Sequence, residues 1–417
     1  MAGPAQLPCK AARIKSGHGL RILVFNCGSS SLKFELIRLE VGHHDGQAIA
    51  HGIADRLGPN AHLTIKRRGR PLIDSDESIA DHAKAARLIL DALADDSLAL
   101  DAVAHRIVHG GDRVTGPTFA SADVLEALDD ASRFAPLHNP PALKTLRAVQ
   151  QLFPNLPTIV YADTSFHRTI PLHASTYAIP REMATRHGIH RFGFHGPGHA
   201  WMLERYAALS CRPSSSINLI TLQLGAGCSV AAIRAGVSVD TSMGLTPLEG
   251  LMMATRSGDL DPAILSYLGR AEHLNPDQVE RLLNFESGLL GVSGRSKDMR
   301  ELEQAASTDQ AAELALTMFS YRARKYIGAY LAALGRADAI IFGGGIGEHS
   351  APMRARICIG LEALGVHFDP VRNTAPDSGE RCFSADGSAI ALWVIPLNEE
   401  LYIARAAANL LASSAVT

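Results

Sequence analysis

The stretch Asn26-Cys27-Gly28-Ser29-Ser30-Ser31-Leu32-Lys33 lies between two runs of strand-forming residues, RILVF at 21–25 and FELI at 34–37. Strand formers on both sides of a small-residue turn predict a β-hairpin. Three serines and a glycine are more than a reversal of the chain needs. Backbone N–H groups in a turn without bulky side chains can approach an anion closely, and hydroxyl groups add donors. The stretch therefore indicates a hairpin whose turn contacts a ligand.

A second hairpin of the same plan is predicted further along, where INLITLQL, GAGCS and VAAIRAG follow one another over 217–236. Two copies of one supersecondary unit indicate two related halves. Between them, helices alternate with strands, which predicts parallel strand pairing and an α/β fold. Helical spacing is seen in Ile79, Ala83, Ala86, Leu90 and Leu93 and in the segment 141–153. Strands are predicted within 99–111, where the strand leads into a glycine turn, and at 157–163.

After the second hairpin, the sequence predicts a long helix over 311–334, with Asp309 or Thr308 as its N-cap. A strand at 337–342 and a glycine loop at 343–350 follow it. A final helix begins at Glu399, runs to Leu411, and is expected to return to the first domain. The predicted domains are domain I at 21–164 plus 400–417, domain II at 165–399, and a disordered extension at 1–20.

Length and composition agree with two soluble domains. A chain of 417 residues exceeds what one core usually supports, and 47% hydrophobic with 20% charged residues is ordinary for a globular protein. The net charge of −2 produces no positive electrostatic field that would attract nucleic acid or anionic lipid. Six widely spaced cysteines without a CxxC motif predict reduced thiols and a cytoplasmic location.

Three small-residue turns follow apolar strands: NCGSSS, LGAGCS and GGGIG. Each alone is more often a plain turn, but three together favour a clamp for phosphate, to which Lys33 adds a cation. None fits the GxxxxGK[ST] loop, and none is a GxGxxG that opens a βαβ unit. Neither a P-loop nor a dinucleotide-binding site is predicted.

Two acidic positions have both a structural and a functional interpretation. Asp163 follows a predicted parallel strand, at the edge where α/β proteins bind ligands, and would suit a hydrated Mg²⁺ beside a nucleotide. It would serve equally as a helix N-cap. Glu399 and Glu400 begin the last helix, where acids complement the helix dipole.

Two arginines and two histidines stand among glycines and apolar residues. Arg106 and Arg256 each need an anionic partner, which is either an internal carboxylate or a substrate anion. His195 and His199 are four residues apart, a spacing that would suit a metal pair on a helix. Because Gly-Pro-Gly separates them, the sequence predicts an irregular loop instead, with histidines that donate hydrogen bonds to a ligand or to the backbone.

Taken together, these segments resemble the family of acetate kinase and its relatives, propionate and butyrate kinases, from about Arg21 to Arg405. The matching motifs are NCGSSSLKFELI, HRIVHGG, APLHNPPAL, ADTSFHRTIP, RFGFHGPGH, DTSMGLTPLEGLMMATRSGDLDP, SGRSKDMREL, GGGIGEHS and PLNEELYIAR. The resemblance implies the two-domain actin-like ATPase fold shared with sugar kinases and heat-shock chaperones, with ribonuclease H-like halves and an interdomain cleft. It also implies a homodimer, with acetate and ATP as substrates and no nucleic-acid or membrane partner.

The implied reaction is reversible, Mg²⁺-dependent transfer of the γ-phosphoryl group of ATP to acetate, giving acetyl phosphate and ADP, with Mn²⁺ as an alternative metal. The resemblance also implies residue roles. Catalytic residues would be Asp163, His195 and Arg256, and metal ligands Asn26 and Glu399. Substrate-binding residues would be Arg106 for the carboxylate and Val108, Leu137, Phe194 and Pro247 for the methyl group. Nucleotide-binding residues would be Lys33, Gln223, Leu224, Gly225, Ala226, Gly227, Asp298, Met299, Arg300, Gly345, Ile346, Gly347, Glu348 and His349.

The chain departs from the family pattern near these residues. Gln223 and Ala226 stand where the family usually has His and Asn, Pro197-Gly198 replaces Thr-Ser, and His349 replaces Asn. Each lost contact to a phosphate would weaken binding of the transition state by about 1 to 2 kcal/mol. Three alternatives therefore stay open: a propionate or butyrate kinase, a pyrophosphate-dependent kinase, and a nucleotide-binding protein with little turnover.

Overall fold

The computed structural model describes residues 19–40, 46–93, 100–376 and 379–414. The predicted extension at 1–20 lies outside them except for Gly19 and Leu20, and Leu20 already begins the first strand. The chain divides into two compact units. Unit 1 comprises the residues up to Ala162 together with those from Glu399 onward, and unit 2 comprises Asp163–Asn398.

Unit 1 is built on a mixed sheet of eight strands in the order β5-β4-β3-β2-β1-β6-β8-β7. The predicted first hairpin is confirmed, because β1 and β2 pair antiparallel. The predicted parallel pairing is confirmed as well, between β1 and β6 and between β6 and β8. The strands are β1 Leu20–Cys27, β2 Leu32–Leu39, β3 Gly46–Asp55, β4 Gly58–Arg67, β5 Arg70–Ile79, β6 Ala102–Ile107, β7 Thr118–Phe119 and β8 Thr158–Ala162.

Four α-helices are described in unit 1: α1 His82–Ala92, α2 Ala122–Ala131, α3 Asn139–Leu152 and α15 Glu399–Ser414. Ile79 does not belong to the first helix, as its spacing had suggested, but ends β5. The helix starts later because the Asp81 carboxylate accepts a hydrogen bond from the backbone N–H of Lys84, which caps its first turn. Helices α1 and α3 pack on one another over a core that includes Leu23, Phe25 and Leu146.

Unit 2 holds a six-stranded sheet in the order β11-β10-β9-β12-β14-β13. The second predicted hairpin is confirmed as the antiparallel pair β9–β10, and β12 lies parallel to both β9 and β14. The strands are β9 Leu219–Leu224, β10 Cys228–Arg234, β11 Val237–Thr241, β12 Ala339–Gly343, β13 Arg381–Cys382 and β14 Ala391–Val394.

The described α-helices of unit 2 are α4 Leu172–Ser175, α5 Arg181–His187, α6 Gly196–Leu209, α7 Ala263–Ala271, α8 Pro276–Phe285, α9 Gly288–Ser293, α10 Met299–Ala305, α11 Gln310–Leu334, α12 Gly344–His349, α13 Ala351–Cys358 and α14 Pro370–Asn373. The long helix α11 was predicted, and Asp309 caps it by accepting from the N–H groups of Ala311 and Ala312.

The two sheets share a plan. In unit 1 a hairpin is extended by two parallel strands, β2-β1-β6-β8, and in unit 2 the same arrangement recurs as β10-β9-β12-β14. The turns that follow β1 and β9 therefore occupy equivalent places, which agrees with the internal repeat predicted from the two hairpin sequences.

Within the described residues, no helix is both long enough and apolar enough to span a bilayer. The described cysteines, Cys27, Cys211, Cys228, Cys358 and Cys382, are all free thiols.

Candidate active site

Strand pairing in unit 1 places three predicted site residues in one row. Asn26 on β1 is in register with Lys33 on β2 and with Arg106 on β6. Directly opposite residues of neighbouring strands project from the same face of a sheet, so these three side chains share a face. The row lies at the carboxyl ends of the parallel strands β1 and β6, the edge at which α/β sheets bind ligands.

The first turn of α15 supplies carboxylates to this row. Glu399 Oε2 lies 3.1 Å from Arg106 Nη1, and both side chains are largely buried. The same guanidinium nitrogen donates to Asn26 Oδ1 at 3.2 Å, and Asn26 Nδ2 donates to Glu400 Oε1 at 3.2 Å. The anionic partner expected for Arg106 is thus an internal carboxylate, Glu399.

A third carboxyl group, that of Glu35, lies near Glu400. Glu35, on β2, is partly buried, and its burial together with the neighbouring Glu400 raises the pKa of Glu35 to about 7. Oxygen donors from Asn26, Glu399 and Glu400 gather within the same region, and hard oxygen ligands are those that Mg²⁺ prefers. Among the described residues, no three His, Cys, Asp or Glu side chains form a ready metal site. Asn26 and Glu399 would hold a magnesium ion there, and the ion would neutralise phosphate charge.

In unit 2, His195 immediately precedes helix α6, and the prediction of an irregular loop between His195 and His199 was wrong. Gly196, Pro197 and Gly198 form the first turn of the helix. Proline is tolerated there because first-turn N–H groups lack partners in the helix anyway. Gly196 is required by close approach, since a Cβ atom would lie 2.1 Å from the carbonyl oxygen of Asp163.

The backbone around His195 is held in an uncommon conformation. His195 has φ of 60°, in the left-handed region that non-glycine residues seldom adopt. Its N–H donates to Asp163 Oδ2 at 3.3 Å, and the preceding carbonyl, of Phe194, hydrogen-bonds with His167 Nε2 at 2.9 Å. Asp163 itself is buried at the start of a 3₁₀ helix, Asp163–His167. Its carboxylate therefore helps to fix the orientation of His195.

The side chains of His195 and Arg256 converge over Gly227. A Cβ atom on Gly227 would lie 3.4 Å from His195 Nε2 and 3.4 Å from Arg256 Nη1. The glycine thus leaves a small space that faces an imidazole nitrogen and a guanidinium group at once. Donors converging on a turn that lacks side chains are what a phosphate oxygen requires.

Arg256 has no carboxylate partner within salt-bridge distance among the residues that the structure describes. Its Nη1 donates to the carbonyl of Pro247 at 3.3 Å and contacts the sulfur of Met253 at 3.7 Å. Burial lowers the pKa of Arg256, an effect that the nearby Cys228 partly opposes. Arginine nevertheless stays charged. A partly buried cation with only neutral partners favours an anionic ligand.

A cavity of about 720 Å³ opens beside this point within unit 2. Ten predicted site residues line it: Gly225, Ala226, Gly227, Arg256, Asp298, Met299, Arg300, Gly345, Ile346 and His349. Five others were not predicted: Ala254, Thr255, Lys297, Glu303 and Ser350. The volume suits a nucleotide, since ligand pockets range over about 300 to 1,000 Å³.

Other predicted nucleotide-binding residues have internal roles. The segment predicted as a glycine loop forms the end of β12 and helix α12, and Gly347 and Glu348 do not line the cavity. Glu348 Oε1 accepts from the N–H groups of Gly344 and Leu397, at 2.8 and 3.1 Å. Asp298 caps α10 and pairs with Arg300 at 2.7 Å. Helix α12 begins directly after β12 because Gly344 adopts a positive φ of 77° and turns the chain. A side chain at this position would also collide with the backbone of Leu224.

The four residues predicted to surround a methyl group are distributed over both units. Val108 is half-buried and Leu137 is exposed in unit 1. In unit 2, Phe194 is buried and Pro247 is half-buried, with its carbonyl bound to Arg256. Gln223 and Leu224 end β9 immediately before the glycine turn.

Sequence reasoning missed two buried hydroxyl residues beside the histidines. His195 Nδ1 lies 2.8 Å from Ser229 Oγ, and the same oxygen lies 2.8 Å from His199 Nε2. His199 Nδ1 in turn lies 2.8 Å from Thr221 Oγ1. The signal was present in the alternation of β9 and β10, whose polar Thr221 and Ser229 interrupt otherwise apolar strands.

The sequence profile of the Acetokinase family matches residues 21–405. The chain belongs to the acetokinase family. The chain is 45% identical over 390 residues to an acetate kinase of Clavibacter michiganensis subsp. michiganensis, an alignment that covers 92% of this chain and 97% of that protein. The resemblance predicted from the motifs is therefore confirmed.

Solved structures of acetokinase-family proteins share the fold. The crystal structure of Porphyromonas gingivalis acetate kinase matches with a TM-score of 0.87 at 37% identity, over 94% of this chain and 100% of that one. A propionate kinase from Francisella tularensis subsp. tularensis matches with a TM-score of 0.87 at 37% identity, over 94% of this chain and 99% of that one. The predicted fold class, an α/β actin-like ATPase fold with two related halves, is confirmed.

Proposed function

We propose that this acetokinase-family protein is an ATP:acetate phosphotransferase, which reversibly transfers the γ-phosphoryl group of ATP to acetate. The observation that carries the proposal is the convergence of His195 Nε2 and Arg256 Nη1 over Gly227, at the wall of a nucleotide-sized cavity. Both are donors to a phosphate oxygen. The acetate kinases among its relatives supply the acceptor.

The chemistry needs little covalent help from the protein. Acetate is ionised at neutral pH, because carboxylic acids of this kind have pKa values near 4, so no base has to activate it. One carboxylate oxygen forms a bond to the γ-phosphorus while the bond from that phosphorus to the bridging oxygen of ADP breaks. Catalysis is then positioning and neutralisation of charge. In this scheme Arg256 and His195 bind the transferring group, and Asp163 orients His195.

Unit 1 would bind the acyl substrate. Arg106 is the cation for the carboxylate, and Val108 and Leu137 are candidate contacts for the methyl group. Phe194 and Pro247, in unit 2, are assigned the same role. Arg106 pairs with Glu399 at 3.1 Å. Binding of acetate would exchange one carboxylate partner for another, which leaves Glu399 available as a ligand.

Asn26 and Glu399 would hold Mg²⁺, with Mn²⁺ as an alternative. The fit is supported by the cluster of oxygen atoms at the start of α15. When bound with the nucleotide, the metal supplies neutralisation of the phosphate charge. Lys33, exposed on the same row, would contact the nucleotide.

The remaining nucleotide contacts would come from the cavity in unit 2. The glycine turn at 225–227 and Arg256 form its phosphate end, since they meet at His195. Met299 and Ile346 add apolar surface for a base. Gln223 and Leu224, which were predicted to bind the nucleotide, immediately precede this turn, and we propose that they act by positioning its backbone. For Gly347 and Glu348, we propose that they support the wall and do not touch the nucleotide.

The proposal is tested by trapping the product. With acetate, ATP, Mg²⁺ and hydroxylamine, acetyl phosphate is captured as acetohydroxamate. We expect the hydroxamate to form only when acetate, ATP, hydroxylamine and the metal are all present. Arg106→Ala and Arg256→Ala should each abolish most of the signal. No hydroxamate alongside measurable ATP binding by calorimetry would instead support a nucleotide-binding protein without turnover. Product from pyrophosphate but not from ATP would identify a different phosphoryl donor.

Propionate is the second candidate acceptor, because the propionate kinase of Francisella tularensis is as similar in structure as the acetate kinase of Porphyromonas gingivalis. One methylene group changes the free energy of binding by about 1 to 3 kcal/mol. We expect kcat/KM to fall in the order acetate, propionate, butyrate. A maximum at propionate would reassign the substrate without changing the reaction.

We further propose that the protein acts in the cytoplasm as a homodimer, and that units 1 and 2 are the acyl and nucleotide domains. The cytoplasmic assignment is supported by the free thiols of all described cysteines. The dimer is supported by α7, which buries none of its residues while exposing Ile264, Leu265 and Tyr267. A helix with exposed apolar residues and no fully buried residue is typical of an interface.

A further inference from the structure

The buried polar chain beside His195 lies wholly within unit 2 and is continuous. It runs from Thr221 Oγ1 to His199 Nδ1, from His199 Nε2 to Ser229 Oγ, and from Ser229 Oγ to His195 Nδ1, and each of the three distances is 2.8 Å. Thr221, His199 and Ser229 are all fully buried. Only the last member, His195, presents a second nitrogen to the space over Gly227.

Local structure explains why these groups meet. His199 lies one helical turn after His195, so the two imidazoles lie on the same side of α6. On the hairpin, Thr221 is in register with Ala231, and Ser229 lies two residues before Ala231. Side chains two apart on a strand project from one face, so both hydroxyls face the same way. Helix α6 packs on β9.

The direction of the hydrogen bonds follows from counting hydrogens. Burial lowers the pKa of His199 well below its usual range, and the neighbouring His167 and His195 add to the effect, so His199 is neutral. A neutral imidazole donates through one nitrogen and accepts through the other. Two directions are therefore available for the chain, from Thr221 towards His195 or the reverse.

The reverse direction leaves a donor unsatisfied. If His195 Nδ1–H donated to Ser229, Ser229 to His199 Nε2, and His199 Nδ1–H to Thr221, the Thr221 hydroxyl hydrogen would need a further acceptor. The described residues offer it no acceptor other than His199. An unsatisfied buried donor costs about 1 to 3 kcal/mol. In the forward direction Thr221 donates to His199, His199 Nε2–H donates to Ser229, and Ser229 donates to His195 Nδ1, with every hydrogen used.

We propose that Thr221, His199 and Ser229 are positioning residues that hold His195 as its Nε2–H tautomer, aiming a hydrogen-bond donor at the anion position over Gly227. The other tautomer would present a lone pair to a phosphate oxygen. The role of His195 in phosphoryl transfer rests on the proposed function, whereas the tautomer of His195 does not.

Charged and titratable groups around His195 agree with a donor at Nε2. Arg256 Nη1 faces the same space over Gly227, and the Asp163 carboxylate accepts the backbone N–H of His195. His167 is engaged with Ser238 Oγ at 2.8 Å and with the Phe194 carbonyl, and burial lowers its pKa to about 4. Ser229 Oγ is the hydroxyl that lies within hydrogen-bond distance of His195 Nδ1, at 2.8 Å.

Two substitutions at one position separate the hydroxyl from the shape of the side chain. Thr221→Val keeps the shape and removes the donor, whereas Thr221→Ser keeps the donor and removes a methyl group. In full-length protein labelled with ¹⁵N-histidine, we expect His195 of the wild type and of Thr221→Ser to show a protonated Nε2 and an unprotonated Nδ1. Thr221→Val should give a mixture of tautomers.

Activity provides a second readout. Partners that orient a functional histidine are worth roughly 10- to 100-fold when removed, so Thr221→Val and Ser229→Ala should lower kcat by about that factor while KM for ATP changes little. Ser320→Ala, which removes another buried hydroxyl on α11, is the matched control and should retain wild-type kcat.

The outcomes distinguish this inference from the proposed function. A protonated Nδ1 in wild-type His195, or identical spectra and kcat for Thr221→Val and Thr221→Ser, would overturn the relay even if the protein makes acetyl phosphate. Conversely, if no acyl phosphate forms with any donor, the proposed function fails, and the ¹⁵N spectra still decide the tautomer.

Discussion

Arg256 illustrates at the residue scale how a functional side chain differs from a stabilising one. It is a partly buried cation with neutral neighbours, Pro247 and Met253, and without a carboxylate partner among the described residues. Its burial lowers its pKa, which means that folding works against its charge. Such an arrangement makes sense if a phosphate completes it.

Arg256→Ala should therefore separate activity from stability. We expect kcat for acetyl phosphate formation to fall by about 10³- to 10⁵-fold, as for other arginines that neutralise a phosphoryl group in transfer. The free energy of unfolding, measured with urea, should not fall, because an uncompensated cation is removed.

Arg356→Ala is the matched control. Arg356 pairs with Glu313 at 2.7 Å, and neither residue lines the cavity, so its loss should leave kcat unchanged and lower stability slightly. If Arg256→Ala kept kcat within tenfold of the wild type, Arg256 would not be a catalytic residue.

The turn at 225–227 carries the main departures from the family, and its effect is measurable. Gln223 is the penultimate residue of β9, and Ala226 is exposed at the lining of the cavity. We expect the double variant Gln223→His with Ala226→Asn to raise kcat with ATP, because each restored donor to phosphate contributes about 1 to 2 kcal/mol. An unchanged or lower kcat would mean that the turn has been adapted to another phosphoryl donor.

Strand β6 shows at the element scale how one segment serves both the site and the core. Arg106 projects to the ligand-binding face, and the adjacent His105 projects to the opposite one, where it is buried and stacks on Phe25 with ring centroids 5.5 Å apart. Neither ring nitrogen of His105 has a hydrogen-bond partner among the described residues. Burial lowers the pKa of His105 to about 3.

His105→Leu should stabilise the protein, most of all in acid. Because the folded-state pKa lies below the unfolded value near 6.5, the unfolded state binds the extra proton, and stability falls as the pH drops through 6.5 towards 3. We expect the variant to unfold at higher urea concentration at pH 7.5. Its advantage should grow by about 2 kcal/mol at pH 5.

His51→Gln, at an exposed position on β3, serves as the comparison and should follow the wild-type curve. An advantage of His105→Leu that stays constant between pH 7.5 and pH 5 would show that His105 finds a proton-accepting partner when folded.

Sequence predicted the elements whose patterns were unambiguous. The two hairpins, the parallel strands β6, β8 and β12, the cap at Asp309 and the start of α15 at Glu399 are all present. The three strands β3 to β5 were not predicted, because the last of them, RPLIDSDESI, is a polar, exposed edge strand without alternation. The start of helix α6 was predicted as a loop because Gly-Pro-Gly is unusual in a helix. Gly196 is needed there because the Asp163 backbone approaches closely, and this contact is visible only in the folded structure.

The same limit applies to the candidate site. Motif resemblance predicted the residues of the cavity wall, but it did not separate those that line it from Glu348, whose carboxylate binds backbone N–H groups. Ser229 and Thr221 carry no motif of their own. Their importance depends on which face of a hairpin meets a helix, which is a property of tertiary packing.

At the scale of the whole molecule, the two sheets repeat one plan and their turns have diverged. Asn26 and Gln223 each stand two residues before the first glycine of their turn, Gly28 and Gly225, on the equivalent strands β1 and β9. Unit 1 surrounds its turn with carboxylates and Arg106, whereas unit 2 surrounds its turn with glycines, His195 and Arg256. The same strand arrangement thus forms two different regions: the one in unit 1 suits a metal and a small carboxylate, and the one in unit 2 suits a phosphate.

The proposed homodimer is a prediction about the whole molecule that can be tested directly. Tyr267 on α7 is 63% exposed, and Ile264 and Leu265 are 40% and 44% exposed, although all three are apolar or aromatic. Exposed apolar residues on a helix with no buried position of its own would be covered by a second copy. We expect light scattering after gel filtration to give twice the mass of the 44.5 kDa chain.

Leu265→Lys with Tyr267→Glu should convert that dimer to monomers, because charged groups are costly to bury in an interface core. Val371→Lys is the matched control, as Val371 is a comparably exposed apolar residue on α14, and it should leave the dimer intact. Since the cavity and the His195 relay are built within a single unit 2, ATP binding by the monomeric variant should persist. A double variant that remained dimeric would place the interface on another surface, and a wild type that ran as a monomer would remove the dimer from the proposal.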